Sequence, residues 1–158
     1  MFDVRLKGKR ISLGGGEFPK AGFVNIDNST INPINGHHYT PDILHDLNEG
    51  IPFPDSFIDE VECSHFIEHV KDPVFLMNEI WRVCKNGSKV QIVCPVHDMV
   101  PGHLTDMSFD WFEKNVSKDK FDLVSHKEYP KPVTDPIYGD RTFVELNLEF
   151  VVKKCTKE

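Results

Sequence analysis

Hydrophobic residues along the chain gather in short runs, most of them closing on a glycine or a polar residue. Ile11 to Leu13, Phe23 to Ile26, Ile43 to Leu44, Ile58 to Cys63 and Lys89 to Cys94 each read as a buried strand. Between the last two, Leu76, Ile80, Val83 and Cys84 recur at helical spacing. Asp72 stands where it can cap that helix, Pro73 suits its first turn, and Asn86-Gly87 supplies a stop. Strand, helix and strand in succession predict a parallel pair. Farther on, Ser108 to Lys114 reads as a short helix and Phe121 to Val124 as a strand. In the last segment Val144, Leu146, Leu148, Phe150 and Val152 share one face while Glu145, Asn147, Glu149 and Lys153 share the other, a period of two that predicts a strand antiparallel to its neighbour. The connection holding Pro130, Pro132, Pro136 and Gly139 is expected to be an irregular loop able to flex over a pocket.

Only Glu17 to Gly22 separates the glycines after the first strand from the second strand, too short a stretch for a crossover helix. Six to eight extended residues span roughly 20 to 28 Å, enough to return along a strand of about 17 Å, so parallel pairing is still expected without that helix. The fold class is α/β: a mostly parallel Rossmann-like sheet with a C-terminal antiparallel strand and abbreviated helices. With 158 residues the chain has material for one domain with a real core. Residues 1–95 would form its ligand-binding core, and 96–158 a substrate-side loop, short helix and terminal strand pair.

Composition narrows the function classes. A formal charge of −7 argues against broad nucleic-acid binding and against an anionic membrane surface. The one basic cluster, Arg5, Lys7, Lys9 and Arg10, reads as a solvated strand edge. No stretch approaches the ~20 apolar residues of a membrane span, and Met1 to Leu6 lacks the apolar segment of a secretory signal, so a cytoplasmic location is expected. Cys63, Cys84, Cys94 and Cys155 form no closely spaced pair, which speaks against disulfides and a structural zinc.

The candidate chemistry sits at the ends of the strands. Gly14, Gly15 and Gly16 give bare backbone that a ligand can approach closely, and Asp27 ends the next strand, where a carboxylate accepts hydrogen bonds from a ribose diol. That pairing suggests a nucleoside-containing cofactor. His97, Asp98 and His103 follow the fifth strand and can reach the same crevice, although structural loop roles account for them better.

Taken in order, Leu13-Gly14-Gly15-Gly16, Val24-Asn25-Ile26-Asp27, His45-Asp46-Leu47, Ile51-Pro52-Phe53-Pro54-Asp55, Ser64-His65-Phe66-Ile67-Glu68-His69 and Glu79 to Gly87 resemble the class I S-adenosylmethionine-dependent methyltransferases, specifically their small, abbreviated group. The resemblance covers roughly Ile11 to Pro95. It implies that Gly14 to Gly16 cradle the methionine and ribose side of S-adenosylmethionine, that Asp27 accepts the ribose hydroxyls, and that Asp46 and Leu47 lie beside the adenine. Ser64 and His65 would line the floor near the transferable methyl. Departures are Gly15 where the group commonly has Cys, Lys85-Asn86-Gly87-Ser88 in place of Lys-Pro-Gly-Gly, and Phe18 where many relatives have a third glycine. The activity implied is methyl transfer to an O or N atom of a small-molecule or carbohydrate-like acceptor. His65 is the first candidate for a base or for orienting the acceptor, and His97 the second. A thin lid over the crevice is compatible with a homodimer.

Two other readings use the same residues. A noncatalytic module that keeps the fold fits the missing helix and the short C-terminal region, which leave little to cover a site. His65-Phe66-Ile67-Glu68-His69 also spells H-x-x-E-H, the inverted zinc-peptidase signature. That signature needs a helix and a further downstream ligand, whereas a strand ends immediately before it here. No metal is therefore expected, and Glu68 is assigned to helix geometry.

Overall fold

The computed structural model describes residues 9–98, 100–135 and 139–154. Arg5, Lys7, Pro136 and Cys155 lie outside the described residues. Seven strands form one sheet: β1 (Arg10–Leu13), β2 (Val24–Asp27), β3 (Ile43–Leu44), β4 (Ile58–Ser64), β5 (Cys84–Val96), β6 (Phe121–Asp135) and β7 (Gly139–Val152), in the spatial order β3-β2-β1-β4-β5-β7-β6. The first five run parallel, and β7 is antiparallel to both β5 and β6. The α/β class with its antiparallel C-terminal strand is thus the architecture of the chain. β1 and β2 pair in parallel across the short glycine segment, with Gly14 N donating to Ile26 O at 2.8 Å.

Helix α1 (Pro73–Val83) begins where the sequence signals it, the Asp72 carboxylate accepting from Phe75 N at 2.9 Å and Pro73 opening the first turn. It ends earlier than Asn86-Gly87 suggests. Val83 and Cys84 are fully buried, and Cys84 already pairs with Ile58 of β4, so the chain passes directly into an irregular start of β5. Burying these two residues in the sheet outweighs continuing the helix to the glycine. Helix α2 (Phe109–Asn115) starts at Ser108, whose hydroxyl accepts from Trp111 N. Two 3-10 turns, Leu47–Glu49 and Ile67–His69, follow β3 and β4.

The expected irregular loop between the last two strands is instead a continuous hairpin, paired from Phe121↔Val152 to Asp135↔Gly139. Pro130 and Pro132 sit inside β6, opposite Val144 and Thr142. They are tolerated because β6 is the outer strand, where a missing N–H breaks no ladder on the far side.

The sheet has two unlike faces. Ile11, Leu13, Val24, Ile26, Val61, Cys63, Val90, Ile92, Leu146 and Leu148 join Leu76, Ile80 and Phe112 of the two helices in one buried cluster. The alternate positions are polar and bond to one another: the Ser12 hydroxyl to Glu62 at 2.7 Å, and Lys20 Nζ to Gln91 at 3.3 Å and Glu60 at 3.7 Å. Among the described residues no helix covers this second face. All the parallel strands point their carboxyl ends to one edge, which is where the candidate site residues lie.

Candidate functional site at the carboxyl edge of the sheet

Gly14 to Gly16 turn away from β1 with φ of 62° at Gly14 and 56° at Gly16, a left-handed backbone open to glycine. The bend is held by its neighbour strand: Gly15 N donates to Asn25 Oδ1 at 3.1 Å, Asn25 Nδ2 to Gly16 O at 3.0 Å, and Gly16 N to Asp27 Oδ2 at 2.9 Å. A Cβ on Gly14 would overlap the Phe66 ring, whereas one on Gly16 would meet nothing within 4 Å. Both are half-buried, but the space beside Gly16 is open and that beside Gly14 is filled.

Asp27 is 8% exposed, and its second oxygen accepts from Ser29 N at 3.0 Å. Its carboxylate is thus fixed between two amides at the tip of β2. One strand over, Asp46 caps the first 3-10 turn by accepting from Asn48 N at 2.9 Å and Asn48 Nδ2 at 2.8 Å. Those bonds hold its carboxyl below the usual range. Asp46 lines an open hollow of about 350 Å³ with Asn48, Glu49, Lys71, Asp72 and Phe75. The Leu47 side chain is buried in the core, so only its backbone is available at this edge.

Ser64 ends β4, and His65 follows with φ of 51°. His65 N donates to Val93 O at 2.7 Å, and Nε2 lies 2.9 Å from Glu145 Oε2. Lys131 Nζ reaches the same oxygen at 2.6 Å. Burial alone would raise the Glu145 carboxyl, but the hydrogen bonds from Lys131 and His65 outweigh it, and the net direction is down. An ionised Glu145 can only accept, so Nε2 carries the proton of a neutral His65 and Nδ1 presents the basic lone pair. His97, at the tip of β5 with φ of 54°, is clamped twice by Asp106, through its N–H at 2.9 Å and Nδ1 at 2.7 Å.

Glu68 differs from its expected role. It lies on a 3-10 turn, is 1% exposed, and neither carboxylate oxygen accepts a hydrogen bond from another described residue, the nearest histidine nitrogens being His69 Nε2 at 3.8 Å and His65 Nδ1 at 3.9 Å from Oε1. Burial, with a smaller push from Asp98, raises its carboxyl to about 7. Cys63, Cys84 and Cys94 are buried free thiols, all raised chiefly by burial, which disarms them as nucleophiles. The structure therefore brings the glycine bend, Asp27, Asp46, Ser64, His65 and His97 to adjacent strand tips on one edge. Glu145, Lys131 and Asp106, which complete the histidine sites, carry no local motif. Their only sequence signal is a polar residue near the end of a late strand or loop.

Residues 24–92 match the family model described as a methyltransferase domain. Over those residues the chain is similar to methyltransferase domains. A search of curated proteins finds no match to the chain. Among solved structures it is similar to the YcgJ protein from Bacillus subtilis, with 12% identity, a TM-score of 0.65 and 94% of each chain covered. It is also similar to phosphoethanolamine N-methyltransferase 2 from Haemonchus contortus, in complex with phosphomonomethylethanolamine and S-adenosylhomocysteine, at 15% identity and a TM-score of 0.60, covering 96% of this chain and 51% of that one. The [4+2]-cyclase SpnF matches at 12% identity and a TM-score of 0.64, with 94% and 76% covered. At such identities these likenesses show that the methyltransferase fold is shared, and the fold hosts more than one chemistry.

Proposed function

We propose that the chain transfers a methyl group from S-adenosylmethionine to an O or N atom of a small-molecule or carbohydrate-like acceptor. The observation that carries this reading is the arrival of a bare glycine bend, a fixed carboxylate at the next strand tip and a Glu145-oriented histidine on one edge of a class I sheet. The residues fit the cofactor. A Cβ on Gly16 would meet nothing within 4 Å, so a ligand can approach there, and Asp27, which accepts from two amides and from the Tyr39 hydroxyl, keeps about one of its roughly four acceptor sites for a ribose hydroxyl.

When bound, S-adenosylmethionine supplies an electrophilic methyl on a sulfonium. The work of the protein is then alignment, exclusion of water and removal of one proton from a neutral acceptor. Gly14 to Gly16 hold the methionine and ribose side, Asp27 the ribose, and Asp46 with the Leu47 backbone the adenine. Ser64 and His65 form the floor. His65 Nδ1 takes the acceptor proton, while Glu145 holds Nε2–H and stabilises the imidazolium that results. Lys131 keeps Glu145 ionised for that task. His97 is the second candidate base.

One observation favours the noncatalytic reading instead. The Phe66 ring packs where a side chain on Gly14 would be, which narrows the bend. Calorimetry with S-adenosylmethionine and S-adenosylhomocysteine, followed by transfer of a labelled methyl to a panel of hydroxyl and amine acceptors, separates the two. Saturable binding with label in a product is the expected result. Absence of binding at millimolar ligand would remove the enzymatic reading.

A further inference from the structure

We propose that Glu68, His69 and His103 form a binding site for one divalent transition-metal ion of the zinc class, which clamps the segment after β5 onto the turn after β4. One ligand atom from each residue lies within 4.8 Å of the others. A tetrahedral zinc shell sets its N and O ligands about 3.4 Å apart, so closure requires movements of about 1 Å in side chains on a short turn and a loop.

Two independent features point the same way. First, Glu68 is a carboxylate buried to 1% exposure whose oxygens accept no hydrogen bond from another described residue. A buried charge without a partner is costly, and a cation removes that cost. Second, both imidazoles are oriented through their inner nitrogens. His69 Nδ1 lies 2.8 Å from Gly102 O, and His103 Nδ1 bonds Asp98 O. A carbonyl only accepts, so each Nδ1 carries the proton and each Nε2 keeps its lone pair, the orientation and tautomer that histidine needs to bind a metal. The rings of His69 and His103 stand edge to face with centroids 4.7 Å apart, and His69 Nε2 is 3.8 Å from Glu68 Oε1.

This set differs from the one the H-x-x-E-H spacing suggests. His65 commits its Nε2 to Glu145 while its Nδ1 lies 3.9 Å from Glu68 Oε1, and His103 arrives from the segment after β5. The two segments already touch, Leu104 N donating to Glu68 O at 2.7 Å. An ion there would lock together the two segments that carry His65 and His97, a structural clamp independent of whether methyl transfer occurs.

The test uses the full chain purified through chelator. Zinc should bind at one equivalent by calorimetry, cobalt(II) should give the intense visible bands of a tetrahedral site, and Tm should rise by about 5–10 °C at a zinc concentration a hundredfold above Kd. Glu68→Gln is nearly isosteric and His103→Asn lies on a loop. Each should lose the stoichiometric site and the Tm rise while circular dichroism stays unchanged, and His126→Gln should keep both. No stoichiometric binding, or binding that survives in either ligand variant, would overturn the proposal.

Discussion

His65 and His97 both hold a left-handed backbone at the tip of a parallel strand. A residue with a Cβ stores about 1 kcal/mol of strain there, and such strain persists where surrounding contacts impose it. The contact at His65 is Glu145, so the pair is expected to act as a unit in proton removal. Replacing His65 with Ala should lower turnover by about 100-fold while leaving the calorimetric affinity for S-adenosylmethionine within a factor of two or so. Glu145→Gln should lower turnover too, and should shift the pH profile of kcat, because the imidazolium loses its counter-charge. Equal turnover in wild type and both variants would exclude the pair. The glycines separate by a different measurement. Gly16→Ala meets only backbone strain and should cost about 1 kcal/mol in urea unfolding, whereas Gly14→Ala must also displace the Phe66 ring and should cost about 2–4 kcal/mol. His65 was visible in the sequence as a polar step after an apolar strand. Glu145 was not, because alternation along β7 assigns it only to the polar face, and nothing local says that this face overhangs the tip of β4.

At the scale of elements, α1 fixes the stretch between β3 and β4 through one ion pair. Glu79 accepts from Ile51 N at 2.8 Å and from Arg82 Nε and Nη2 at 2.7 Å each, while Arg82 reaches the carbonyls of Ile51 and Phe53 and the Asp55 carboxylate. The Arg82 bonds lead in holding the Glu79 carboxyl below its ordinary value. A depressed folded value means that the stabilisation is complete above the unfolded value near 4.5 and is lost as pH falls through the folded one. Wild type should therefore lose stability on acidification from about pH 5 downward, and Glu79→Gln should flatten that slope and cost about 1–3 kcal/mol at pH 7. Urea midpoints measured at pH 7, 5 and 3 would show it; an unchanged slope would mean that other carboxylates govern the acid limb. The α1 start was legible because Asp72-Pro73 is a local cap signal. The terminal strand pair was legible in its alternation, but its extension through Pro130 and Pro132 was not, since these argue against a strand until its edge position is known, and edge position is a property of the assembled sheet.

The whole molecule is a sheet with its core on one side. Along β5, Val90, Ile92 and Cys94 enter the buried cluster under the helices, while Lys89 and Gln91 look out onto a face stitched by side-chain hydrogen bonds. The short glycine segment explains the asymmetry: with no helix after β1, the strands must be polar on the side such a helix would cover, and Ser12, Glu60, Glu62 and Gln91 make them so. Adjacent residues of one strand should then respond very differently to truncation. Ile92→Ala empties a fully buried site and should cost about 2–5 kcal/mol. Gln91→Ala gives up a 3.3 Å bond from Lys20 and a 3.5 Å contact with Asn147, both partly exposed, and should cost about 1 kcal/mol or less. Equilibrium unfolding of the two variants under one condition measures the contrast directly. Comparable losses at the two positions would mean that the polar face is packed against something in solution, and the one-sided core would have to be abandoned.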